Sequence, residues 1–340
     1  MHYCIAKYRQ NTKKVLFLIY KIKFLNKLRG QKMSKAVVIF KAIDHMFAGP
    51  QNPGKLKKLN KTDVDLTRDI AYGDGEYQKL DLYRKKDATG KTPVIIEIHG
   101  GGFVAGDKKY RTALCNWYCY NTGATVVSLN YSLGPKYIYP VAQQELANAI
   151  NFIGDHADEW GIDLSKSVVT GDSAGGWASA QICAMQDSEY MQEKLGVKLK
   201  YKVTGAVLNC GIYDLQKAVS AKVLFNLTES VCKDFTGIST KELPDWEWLD
   251  VVDSKNYVTA SWPTSFIVYA EQDFFCGGQG EALVEKLDEL GVYQEHYASK
   301  KFGDNHTFSL TWTSKAAKEC NAQILSFLNR FFAGEINKAE

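Results

Sequence analysis

Among the 340 residues there is no Cys-x-x-Cys pair and no Cys/His spacing of the metal-binding kind, which argues against a zinc module or a thioredoxin-like redox site. No internal repeat or low-complexity tract occurs, so solenoids, propellers and fibrous arrays are excluded. The phosphate-cradling pattern G-x-x-x-x-G-K-[ST] is missing, and no G-x-G-x-x-G opens a helix, so nucleotide binding has little support. Acid is absent from residues 1–32, which carry nine Lys/Arg. The rest of the chain holds 33 basic residues (42 less those nine) against 38 acidic ones, a net charge of −5. The body is therefore mildly acidic despite an overall +4, and no nucleic-acid partner is expected. The apolar run at 15–20 is six residues long, far short of the roughly 18–20 needed to cross a bilayer. Basic residues flank it on both sides and no small-residue cleavage site follows, which speaks against a secretory signal.

What is present describes an ordinary globular, well-cored protein. Apolar content of 45% and charged content of 24% suit a chain that buries a sizeable core. Eight cysteines are scattered through apolar or helical surroundings, a pattern that fits reduced, buried thiols in a cytoplasm better than a disulfide framework. Residues 1–32 are expected to be a disordered or spurious extension ahead of Met33, with a basic amphipathic helix touching a membrane surface as the alternative. Residues 33–340 are expected to form one domain.

Within it a helix is expected from 36, followed by a loop to about 60. Strand-like runs at 64–71 and 77–84 are separated by Asp74-Gly75, a hairpin signal. Buried runs at 94–98, 124–129, 203–208, 265–270 and 294–298 then alternate with helical patterns opening at Pro140 and spanning 177–187, 280–290 and 314–332. This alternation predicts an α/β fold with a mostly parallel central sheet flanked by helices. Between 211 and 263 no strand is evident. That stretch and residues 36–60 are read as a small helical lid over the carboxyl ends of the strands, where open α/β sheets place their ligands.

The organising feature is Gly171-Asp172-Ser173-Ala174-Gly175, preceded by β-branched Val168-Val169-Thr170 and followed by a helical pattern. This is a G-x-S-x-G nucleophile elbow in the strand–turn–helix setting it requires. Glycines at 171 and 175 let strand and helix pass closely, and a helix N-terminus beneath the serine favours developing negative charge. A Gly-rich turn with a surface serine would look the same in isolation.

A serine hydroxyl needs a base to take its proton and a third group to orient that base. Asp273 follows the strand at 265–270, and His306 lies between the next strand and the final helix. The order Ser173, Asp273, His306 is that of an α/β-hydrolase. Of the other histidines, His2 lies in the extension, His45 in the first helix, His156 in a long helix and His296 in a strand, while His99 shapes a glycine loop. Glu271 competes with Asp273, but the looser position 273 suits the orienting acid better. An oxyanion needs fixed N–H donors; the loop His99-Gly100-Gly101-Gly102 and the N–H of Ala174 can supply them.

With these motifs in view, the chain resembles the hormone-sensitive-lipase-like branch of α/β-hydrolase esterases over about 70–335. The resemblance rests on His-Gly-Gly-Gly-Phe at 99–103, Asn-Tyr-Ser-Leu-Gly-Pro at 130–135 with Tyr139-Pro140, and Gly-Asp-Ser-Ala-Gly-Gly at 171–176. Within that branch it is similar to bacterial carboxylesterases and to feruloyl and acetylxylan esterase relatives. It implies Ser173 as nucleophile, His306 as base and then acid, Asp273 as orienter, and an oxyanion hole from the N–H groups of Gly101, Gly102 and Ala174. It also implies a small-molecule ester substrate and no cofactor or metal. Leu133-Gly134-Pro135-Lys136 stands where a proline-rich loop is usual and Thr307 where glycine is common, both bearing on substrate preference rather than chemistry. A peptidase or amidase on the same scaffold, or a binding protein without catalysis, are the alternatives. The first usually carries an extra domain for which this chain has no room, and an intact Ser/Asp/His set argues against the second.

Overall fold

The computed structural model describes residues 33–51, 61–221, 226–301 and 303–336. The extension at 1–32 and most of the loop expected up to residue 60 lie outside these. Eight strands form one sheet: β1 (Val64–Ala71), β2 (Lys79–Lys85), β3 (Thr92–Ile98), β4 (Thr125–Leu129), β5 (Ile162–Asp172), β6 (Gly205–Asn209), β7 (Thr264–Ala270) and β8 (Gln294–Ser299). Their order is β1-β2-β4-β3-β5-β6-β7-β8. β1 and β2 run antiparallel to their neighbours, and β4, β3, β5, β6, β7 and β8 pair in parallel. The parallel strands are covered on both faces, which is why runs such as Val94-Ile95-Ile96 are apolar throughout instead of alternating. The edge strand β1 is mostly exposed and its register slips between Thr67 and Ile70, features that blunt an open sheet edge.

The helices are α1 (Lys35–Gln51), α2 (Thr112–Thr122), α3 (Val141–Asp155), α4 (Ala174–Met185), α5 (Glu189–Leu195), α6 (Leu215–Ser220), α7 (Leu227–Thr236), α8 (Leu249–Val252), α9 (Gln279–Glu289) and α10 (Lys315–Ala333). One face of the sheet packs against Leu146, Ile150 and Ile153 of α3, the whole of α4, and Leu283 and Leu287 of α9. The other packs against Leu114 and Tyr118 of α2 and against Ile324, Leu328 and Phe331 of α10. α10 starts where Ser314 accepts the Ala317 N–H and ends at left-handed Gly334, the usual serine and glycine caps. The seven described cysteines are all buried and unpaired.

Several expectations shift in detail. The hairpin expected around Asp74-Gly75 forms, and its loop runs over seven residues between Ala71 and Lys79 because β2 starts at Lys79. α3 stops at Asp155, so Trp160 lies in the turn beyond it, while α4 begins at Ala174, directly after the serine. Residues 211–263 hold helices and short turns and no strand among the described residues, and α7 packs beside α1 through the Ser230 hydroxyl, which accepts the Ala36 N–H at 3.0 Å. No helix among the described residues is long and apolar enough to cross a membrane.

Candidate active site

β5 delivers its last residue, Asp172, into a sharp turn, and Ser173 sits at its apex with φ 54° and ψ −119°. A positive φ is costly for a residue with a side chain and persists only where the surroundings enforce it. Here the Ser173 N–H donates to Asn209 O at 2.8 Å, and Ser173 O accepts from Trp177 N at 3.0 Å inside α4. A Cβ on Gly175 would stand 2.0 Å from Ile98 O, so only glycine lets α4 pass this close to β3. The serine is thereby pushed out above the sheet with the first turn of α4 beneath it.

Two loops bring the remaining groups to it. His306 Nε2 lies 2.8 Å from Ser173 Oγ, and His306 Nδ1 lies 2.8 Å from Asp273 Oδ2. Asp273 Oδ1 accepts the N–H groups of Phe275 at 2.8 Å and Cys276 at 2.9 Å. Burial alone would raise this carboxyl. The His306 ring beside it and these N–H donors outweigh burial and hold it below the usual carboxylate range. Glu271 lies elsewhere, half exposed and 3.4 Å from Lys300 Nζ. His99 is buried, stacked on Tyr131 at 4.5 Å and 2.9 Å from Gly100 O, and burial pushes it down to about 4, so it stays neutral and shapes the loop. His156 bonds back to Phe152 O, and His296 is exposed on β8.

The glycine loop follows β3 directly. Gly101 has φ 140° and a Cβ there would meet Ala105 O at 2.0 Å, a position closed to any other residue. Among the described residues neither the Gly101 nor the Gly102 N–H is taken by a protein acceptor, and the Ala174 N–H belongs to the unpaired first turn of α4. Sequence reasoning missed Asn305. Its Oδ1 accepts the His306 N–H at 2.8 Å and its Nδ2 donates to Gln272 O at 2.7 Å, stapling the histidine loop to the acid loop. Its place beside His306 is the only signal the sequence offers.

Two cavities open from Ser173. One, of about 60 Å³, is almost wholly apolar and enclosed by Phe40, Phe103, Leu227, Val231, Phe235 and Phe275. The other, of about 240 Å³, is more polar and includes Asp44, Arg111, Asn305 and Thr307 in its wall. The tryptophans of the 211–263 stretch line neither. Trp246 and Trp248 pack on Tyr139, with ring centres 5.3 and 5.8 Å away, and Trp262 is buried with its N–H on Ser265 Oγ.

Residues 80–287, more than half of the chain, match the BD-FAE family model. The chain belongs to the BD-FAE family. It is 26% identical over 291 residues to the probable carboxylic ester hydrolase LipM of Mycobacterium tuberculosis, a match that covers 83% of this chain and 65% of that one. It is 29% identical over 130 residues to the acetyl esterase of Salmonella schwarzengrund, covering 38% of each. The chain thus spans less than two thirds of the length of these curated relatives. Among solved structures it resembles esterase B from Lactobacillus rhamnosis (TM-score 0.70, 21% identity, 87% of this chain and 96% of that one). It likewise resembles a bacterial heroin esterase (TM-score 0.70, 21% identity, 86% and 91%). The α/β-hydrolase fold expected from the motifs is borne out. In this BD-FAE member the elbow, the glycine loop and the loops carrying Asp273 and His306 all emerge at the carboxyl ends of parallel strands, where the fold leaves room for chemistry.

Proposed function

We propose that this BD-FAE member is a serine carboxylic-ester hydrolase working through an acyl-enzyme on small-molecule esters. The unbroken chain Ser173 Oγ, His306 Nε2, His306 Nδ1, Asp273 Oδ2, with 2.8 Å at each contact, carries the reading. His306 Nε2 takes the hydroxyl proton as Ser173 Oγ attacks the ester carbonyl, and Asp273 steadies the resulting imidazolium. The N–H groups of Gly101, Gly102 and Ala174 receive the oxyanion. His306 then returns the proton to the leaving alkoxide. A water activated by the same ring hydrolyses the acyl-enzyme, and no cofactor is called for.

The 60 Å³ apolar cavity suits a short acyl group, and the larger, more polar one suits the alcohol, including an acetylated or feruloylated small molecule. The described residues of 211–263 together with α1 act as the lid that encloses the first. The buried, unpaired thiols favour a reducing, cytoplasmic setting. Turnover of 4-nitrophenyl esters from acetate to decanoate tests the reading. Ser173→Ala is expected to lose about 10⁴–10⁶ in kcat on acetate. Equal, slow hydrolysis by wild type and variant overturns the enzyme reading, and faster decanoate than acetate overturns the acyl preference.

A further inference from the structure

Behind the elbow three charged side chains are buried: Glu97 near the end of β3, Arg111 in the turn beyond the glycine loop, and Asp172 next to Ser173. Arg111 donates from Nε to Asp172 Oδ1 at 2.7 Å and from Nη2 to Oδ2 at 2.8 Å, a two-pronged grip. The same Nε lies 3.7 Å from Glu97 Oε1. Ser128 donates to Glu97 Oε2 at 2.6 Å, while Glu97 Oε1 has no hydrogen-bond partner among the described residues. Asp172 also accepts from Gly100 N–H at 3.4 Å, and a Cβ on Gly100 would meet Asp172 Oδ2 at 2.5 Å. The far side of the Arg111 turn is anchored by Lys108, whose buried Nζ donates to Asp69 and Asp81 at 2.6 Å each. The glycine loop is thus tied to Asp172, the residue adjoining the nucleophile, by the Gly100 N–H within it and by Arg111 beyond it, while Lys108 ties the same turn to β1 and β2.

We propose that Arg111 is a positioning residue: acting through Asp172, it sets the N–H groups of Gly101 and Gly102 at the height of Ser173 Oγ, where the oxyanion forms. The inference rests on the esterase reading. Donors fixed before the reaction need no reorganisation as charge develops, and that is where such a clamp gains rate. A merely structural role fits the cluster less well, because apolar packing of similar volume usually replaces a buried ion set at no loss of stability.

Arg111→Lys keeps the charge and loses the fork. The triple variant Arg111→Met/Asp172→Asn/Glu97→Gln removes all three charges, so no buried ion is left stranded. For each, kcat and KM on 4-nitrophenyl acetate are measured beside the affinity for an alkyl boronic acid, which forms a tetrahedral adduct resembling the oxyanion. The expected result is a kcat lower by about 10², a KM within about twofold, and boronate affinity reduced by a similar factor to kcat. Wild-type kcat and boronate affinity in either folded variant overturn the proposal. Failure of both variants to fold also overturns it, by assigning the cluster to the core. Ser173→Ala is run alongside: activity retained there sinks the esterase reading instead, so the two failures are told apart.

Discussion

Replacing Glu97 by Gln isolates a buried ionisation whose effect on stability depends on pH in a calculable way. Burial pushes the Glu97 carboxyl from its ordinary 4.5 up to about 7, against the pull of the Arg111 guanidinium and the Ser128 hydroxyl, with Asp172 adding to the rise. Cys115, Tyr118 and Tyr131 also face this region, and burial keeps all three protonated across the range of interest. The folded protein therefore binds the Glu97 proton more tightly than the unfolded chain does. Stability from this group is fully present below about pH 4.5 and is lost as pH rises through about 7. The gap between the two values corresponds to about 3 kcal/mol near pH 8, and to only about 1 kcal/mol near pH 5, where little of the loss has accrued. Gln cannot ionise, so Glu97→Gln is expected to gain roughly 2 kcal/mol on wild type between those two conditions, whatever fixed offset the lost contact to Arg111 introduces. Urea unfolding followed by tryptophan fluorescence at both pH values measures it. A variant-minus-wild-type difference that stays the same at the two pH values would refute the placement of an ionising carboxyl beneath the elbow.

Two further outcomes test the site itself. Asp273→Asn leaves an oxygen for the Phe275 and Cys276 N–H groups but cannot steady an imidazolium, so kcat is expected to fall by about 10⁴ with little change in melting temperature; loss limited to tenfold would remove Asp273 from the orienting role. Val231→Ala widens the apolar cavity by two methyl groups. At about 0.8 kcal/mol per buried methylene, the ratio of hexanoate to acetate turnover is expected to rise roughly tenfold, and an unchanged ratio places the acyl group elsewhere.

Much of the fold was legible because the chemistry that dictates it is local. A tight strand–turn–helix forces glycine at 171 and 175, and strands buried on both faces force unbroken apolar runs such as those of β3 and β7. That Asp273 and His306 meet at Ser173 was legible from their order and from loops that follow strands. The preference for 273 over 271 has a plain structural basis. Glu271 N–H donates to Ser299 O, still within reach of the ladder, and its side chain turns outward to Lys300. α2 escaped notice because its buried face is not purely apolar: Asn116 sits there, holding the backbone of Lys61 by both its amide oxygen and its amide nitrogen. α5 has clear caps in Ser188 and Gly196, yet buries only Met191 and Leu195, too few for a periodic signal.

What the sequence could not show is how distant segments complete the site. Phe40 and Phe275 face each other across the roof, 6.2 Å apart, although more than two hundred residues separate them, and neither position carries a motif. Arg111 looks like one more cation in a basic run with Lys108 and Lys109, and Glu97 like a polar interruption in an apolar strand. Only their burial against Asp172 reveals a shared role. Motifs mark where covalent neighbours must be special, whereas the groups that hold two motifs in register need only the right length and charge. Such groups must therefore be sought by asking why a charge is buried at all, and the three behind Ser173 answer that a loop of backbone donors and a strained serine have to be kept at a fixed distance from each other.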